Sequence, residues 1–92
     1  MIKSFKHKGL QAFFETGSKK GIIPEHASKT ARILDRLDAS ITPGDMNLPG
    51  YFLHRLSGQD KGAWSVRVSG NWRITFMFDG VDAILVDYKD YH

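Results

Sequence analysis

Arg73 and His92 are the side chains here whose chemistry fits a reaction that no other grouping in the sequence supports. Breaking an RNA phosphodiester without a metal needs a base for the ribose 2′-hydroxyl and an acid for the leaving oxygen. It also needs fixed positive charge for the phosphorane that forms between them. Imidazole suits the proton transfers because it titrates near neutral pH. Guanidinium suits the charge, since its planar fork grips two phosphate oxygens and keeps its proton. Asp90, two residues before His92, and the adjacent chain carboxylate favour the imidazolium. The opposing reading of His92 is a frayed last residue.

Other chemistries find less footing. His7, His26, His54 and His92 show no paired spacing and no accompanying acidic cluster, so no metal site is expected, and nothing calls for a cofactor. His7 and His26 fall in the basic, helical third and are read as exposed. The absence of cysteine removes a thiolate nucleophile, a disulfide framework and a Cys-based zinc site. No Gly-flanked elbow surrounds a serine.

The groups must be positioned by the stretch from Ala63 to His92, which reads as three strands joined by Gly turns. Trp64, Val66 and Val68 alternate with Ser65, Arg67 and Ser69; Trp72, Ile74, Phe76 and Phe78 alternate with Arg73, Thr75 and Met77. Keeping both apolar sets on one side requires a three-residue loop, Ser69-Gly70-Asn71, which sets Val68 opposite Trp72, Val66 opposite Ile74 and Arg67 beside Arg73. The same test favours a loop at Asp79-Gly80-Val81, with Ile84, Val86 and Tyr88 on the core side and Asp87 opposite Arg73. One face is then apolar, and the other carries Ser65, Arg67, Arg73, Thr75 and Asp87. Either Asp87 neutralises Arg73 on a merely solvated face, or an anion sits between the arginines. Trp64 and Trp72 fall on the core face, whereas Tyr91 suits either packing or stacking on a base.

The apolar face needs a cover. Ile2 to Lys6 reads as an edge strand, and Leu10, Phe13 and Phe14 recur at helical spacing until Gly17. After a basic loop, Pro24 opens a second helix whose stripe is Ala27, Ala31, Leu34 and Leu37. A Pro- and Gly-containing loop from Ile41 to Gly50 leads to a strand at Tyr51 to Leu56. The pattern is one α+β domain over 1–92, an N-terminal strand and two helices on one face of a mostly antiparallel sheet, with the opposite face open.

At 92 residues there is room for a single core. No apolar run approaches a membrane span or a signal peptide, which points to the cytoplasm and no membrane partner. The net charge of +3 is unevenly spread: eight Lys and Arg up to Arg36 against three acids leave +5 there and −2 in the remainder. A basic layer beside a face with two arginines suggests a polyanion such as RNA, although charge runs also serve simply as solvated surface.

The run Leu53-His54-Arg55-Leu56-Ser57-Gly58, the segments Gly62 to Val68 and Asn71-Trp72-Arg73-Ile74-Thr75-Phe76, the close Asp87-Tyr88-Lys89-Asp90-Tyr91-His92 and the opening Met1 to Leu10 together resemble the HigB branch of the RelE-type toxins. The likeness covers essentially the whole chain. It implies a bacterial toxin that cleaves messenger RNA in the decoding site of the 70S ribosome, neutralised by a HigA-type helix-turn-helix antitoxin that alone would link it to DNA. By the match, Arg73 stabilises the transition state, His92 transfers a proton, Asp90 and Tyr91 position His92 and the substrate, and His54 and Asn71 line the site. Some members carry lysine where this chain has Ser57, which turns attention to Arg55, Lys61 or Arg67 for phosphate binding. The rival class is a non-catalytic RNA-binding or corepressor module using the same arginines without turnover.

Overall fold

The computed structural model describes residues 1–58 and 61–91; Gln59, Asp60 and His92 lie outside them. Helix α1 (Lys8–Thr16) starts at His7, whose Nδ1 accepts the Leu10 N–H at 2.9 Å, and stops at Gly17 in the left-handed region with φ 81°. Pro24–His26 forms a 3-10 turn that feeds α2 (Ala27–Ala39). The buried face of α2 is Ala27, Thr30, Ile33, Leu34 and Leu37. This is rotated from the expected stripe, because Ala31 instead lines an open cleft of about 430 Å³ with Phe13, Phe14 and Leu34. No helix among the described residues is long and apolar enough to cross a membrane.

Four antiparallel strands follow in the order β1 (His54–Arg55), β2 (Trp64–Ser69), β3 (Trp72–Asp79) and β4 (Asp82–Asp90). Both helices cover one face, and Leu10, Ile33, Leu37, Met46, Val66, Ile74, Phe76 and Val86 are all but fully buried between the layers. The first residues add to the far edge of β4 in parallel, through bridges Ile2↔Ala83 and Phe5↔Val86. The expected strand from Tyr51 shortens to His54–Arg55 because Phe52 takes φ 50°, which breaks the extended run.

Both hairpin loops differ from expectation in the same way. Each is a two-residue turn, Gly70-Asn71 and Gly80-Val81, with glycine at a left-handed first position. Such turns would put the apolar sets out of phase, and a bulge in each hairpin restores them. In β2 the register steps between Arg67 and Ser69, so Val66↔Ile74 and Arg67↔Arg73 pair as expected while Ser69, not Val68, faces Trp72. In β4 the extra residue lies between Ile84 and Asp87, with Leu85 at φ 55° and its N–H donated to Ser4 Oγ at 2.9 Å. Consequently Ala83 rather than Ile84 lies in the core. Asp87 pairs with Thr75 and Lys89 with Arg73, so Asp87 does not stand opposite Arg73.

His7 and His26 are structural, contrary to their expected exposure. His26 is buried, with Nδ1 2.6 Å from the Tyr88 hydroxyl and its ring edge against Trp72. His7 caps α1 and meets the Tyr88 ring at 5.5 Å. Burial pushes the Tyr88 phenol up, against a backbone hydrogen bond at Ile23 that pulls it down. Trp72 stacks on the same Tyr88 ring at 4.6 Å, so its role is packing.

Two stability outcomes follow. The Thr30 hydroxyl is fully buried without a hydrogen-bond partner among the described residues. Thr30→Val should therefore raise stability by about 1 kcal/mol in urea unfolding, and a loss would mean the hydroxyl is satisfied. At the β4 bulge, Leu85→Val should be less stable than Leu85→Gly by about 1–2 kcal/mol, since a β-branched residue tolerates positive φ worst. Equal midpoints would show that the bulge relaxes away from that conformation.

Candidate functional site

Side chains directly opposite one another in a sheet share a face, so the register assigns the open surface row by row. One row is His54, Ser65, Thr75 and Asp87, running from β1 to β4. The next is Arg67, Arg73 and Lys89. A third is begun by Asn71 and Tyr91, where the Asn71 carbonyl accepts the Tyr91 N–H at 2.8 Å. That backbone bond ties the end of β4 to the β2–β3 turn.

The middle row is three cations abreast. Arg73 is half-buried, and its Nη1 donates to the buried Ser65 Oγ at 3.3 Å. Arg67 lies 5.5 Å over the Phe52 ring, and its N–H bonds the Tyr51 carbonyl at 2.7 Å. Neither guanidinium has a carboxylate partner among the described residues. The acid of this face, Asp87, is instead 3.8 Å from Lys89 Nζ. Lys29, reaching from α2 to the Gly50 carbonyl, adds a further cation. Burial pushes its ammonium down, and Arg67 and then Arg32 push it further. These are the surroundings in which a bound anion lowers the electrostatic energy of the fold.

The remaining candidates separate. His54 is exposed at the β1 edge of the same face, and Tyr91 lies beside Lys89, whose Nζ is 5.9 Å from its ring. Asp90 pairs with Trp72, which puts it on the helix-covered face rather than in the row of Arg73. Arg55 also leaves the open face, pairing with Trp64 and lying 5.6 Å over that ring. Ser57 is exposed beyond the end of β1, and Lys61 lines a small cleft with Lys6, Thr75 and Lys89. His92 falls outside the described residues. The sequence reading passed over Lys89 and Lys6. Period-2 alternation from Asp87 already marks Lys89 as open-faced, whereas the parallel pairing that delivers Lys6 has no local signature.

Comparison with known proteins matches the whole chain. A sequence model of the family described as RelE-like toxin of type II toxin-antitoxin system HigB fits residues 3–92. The chain is 44% identical over 92 residues to Endoribonuclease HigB of Proteus vulgaris, with both chains covered in full. It is 35% identical over 95 residues to Toxin HigB-1 of Vibrio cholerae serotype O1, covering all of this chain and 98% of that one.

If the Arg67–Arg73 pair is an anion site, inorganic pyrophosphate should raise the melting temperature of the native protein and have little effect on Arg73→Gln. Without ligand, Arg73→Gln should match or slightly exceed the native stability, within about 1 kcal/mol, because a like-charge contact is removed. The same pyrophosphate shift in both proteins would place the anion elsewhere.

Proposed function

This chain belongs to the RelE-like HigB toxins of type II toxin-antitoxin systems, and from that premise we propose that it is an endoribonuclease cutting messenger RNA in the ribosomal decoding site. The observation that carries the reading is the Arg67–Arg73 pair, opposed on an open face and lacking a carboxylate among the described residues. In the reaction the ribose 2′-oxygen attacks the neighbouring phosphorus, and its proton leaves to a base. The bond from phosphorus to the 5′-oxygen breaks as that oxygen receives a proton. The products are a 2′,3′-cyclic phosphate, which water can open to a 3′-phosphate, and a 5′-hydroxyl end.

Arg73 opposes the charge that grows on the phosphorane oxygens, a role suited to a half-buried guanidinium with few competing partners. His92 transfers the proton; its assignment rests on imidazole chemistry and on the family resemblance. Tyr91 and Asp90 position His92 and the substrate, roles that rest on the family resemblance. His54, Asn71, Arg67, Lys61 and Ser57 surround the RNA, with Arg67 and Lys61 supplying the phosphate charge that Ser57 does not. The partner that silences the toxin is a HigA-type helix-turn-helix antitoxin, through which alone the complex meets DNA. The site of action is the cytoplasm, where translating ribosomes are.

Translating ribosomes mixed with the protein should yield new messenger 5′ ends that accumulate with time at fixed protein concentration. Arg73→Ala should slow their appearance by about 10²–10³-fold, the size expected for losing one transition-state donor. His92→Gln should slow it by about 10²–10⁴-fold. Full activity in either variant removes the mechanism. Ends that track protein concentration and not time would identify a binding module without turnover.

A further inference from the structure

Beside the arginine pair, three lysines from distant parts of the chain line one cleft of about 70 Å³. Lys6 arrives with the N-terminal segment, its N–H bonded to the Val86 carbonyl at 2.8 Å. Lys61 comes from the connection before β2, and Lys89 from β4 directly opposite Arg73. The buried Thr75 forms part of the lining, with Met77 and Leu85 as apolar walls. Among the described residues no carboxylate lines the cleft, although Asp87 sits 3.8 Å from Lys89 Nζ outside it.

We propose that this cleft is a second phosphate subsite, holding a backbone phosphate of the RNA next to the one that Arg73 engages. The inference rests on the ribonuclease reading for the identity of its ligand. Its physical basis is that three lysines line a space whose other described walls are a hydroxyl and apolar side chains. Lysine is a point charge that holds a phosphate without imposing bidentate geometry, as an anchoring subsite requires, whereas the fork of Arg73 suits the reacting group. Directly opposed side chains have Cβ atoms about 5 Å apart. Anions gripped by Arg73 and by Lys89 are therefore neighbours along a strand and not separate sites. The function of the subsite is to fix the register of the strand on the sheet and so to choose which phosphodiester reaches Arg73.

The test uses the full chain and a single-stranded RNA whose riboses are 2′-O-methylated, which binds but cannot react. Affinity is titrated against sodium chloride for the native protein and for the Lys6→Gln, Lys61→Gln and Lys89→Gln variants and their triple combination. Because the three share one phosphate, the triple variant should flatten the slope of log affinity against log salt by about 0.7 in all, not by three times that. Its affinity at low salt should fall on the order of tenfold or more. With cleavable substrate on ribosomes, KM should rise and the cuts should spread to neighbouring phosphodiesters, since the register is no longer fixed. An unchanged salt slope in the triple variant overturns the subsite, and the native cleavage assay then decides the nuclease reading separately. A fall in kcat at unchanged KM, or weakened antitoxin binding with unaltered RNA binding, overturns it as well. A flattened slope together with no cleavage by the native protein supports the subsite and removes the nuclease.

Discussion

Arg67 and Arg73 repel one another, and the sheet nonetheless holds them side by side. The force that does so comes from the reverse face. Val66 and Ile74, each a neighbour in sequence to one of those arginines, are paired with each other and fully buried under the helices. Burying a side chain of that size is worth about 1.5–3 kcal/mol, against tenths of a kcal/mol for the repulsion of two part-exposed charges. The apolar layer therefore decides the register, and the register imposes the charge arrangement. A surface held in electrostatic debt by its own core is prepared for an anion before any anion arrives.

How far the fold was readable follows from the same competition. Strict alternation in Trp64 to Phe78 revealed which residues face the helices, and the α1 and α2 patterns revealed what covers them, because burial dominates both. The turns were another matter. Choosing loop length by regular pairing led to three-residue loops, whereas the chain uses the tighter glycine turns and inserts Val68 and Leu85 as bulges. Both solutions leave Val66 and Ile74 in the core, so hydrophobic pattern alone does not separate them. What separates them is backbone geometry at single residues, above all a leucine at φ 55°, which no propensity would nominate.

The same bulge explains the legibility of the site. The Arg67–Arg73 juxtaposition lies between the β2–β3 turn and the regular pairing, and it survives either loop. Asp87 lies beyond the β4 bulge, so its partner changed from Arg73 to Thr75 and the neutralising reading of that pair disappeared. His26 looked exposed because it falls in the basic first third of the chain; what it packs against is Tyr88, whose hydroxyl it meets sixty-two positions away. The cation missing at Ser57 directed attention to nearby Arg55, Lys61 and Arg67. Cross-strand pairing then turned Arg55 towards Trp64 and delivered Lys6 from the far end of the chain instead.

Among the described residues the opening segment pairs with β4 and with no other strand: the Met1 carbonyl accepts from Ala83, and the N–H groups of Lys3 and Lys6 reach Ala83 and Val86. Contacts spanning so much of the sequence are the last a growing polypeptide can make. While β4 is still inside the exit tunnel, Arg73 lacks its neighbour Lys89 and the sheet ends at β3. The third cation of the row therefore arrives only with β4, after β2 and β3 have already set Arg67 against Arg73. The row Arg67, Arg73 and Lys89 is whole only when the last strand of the sheet has joined it.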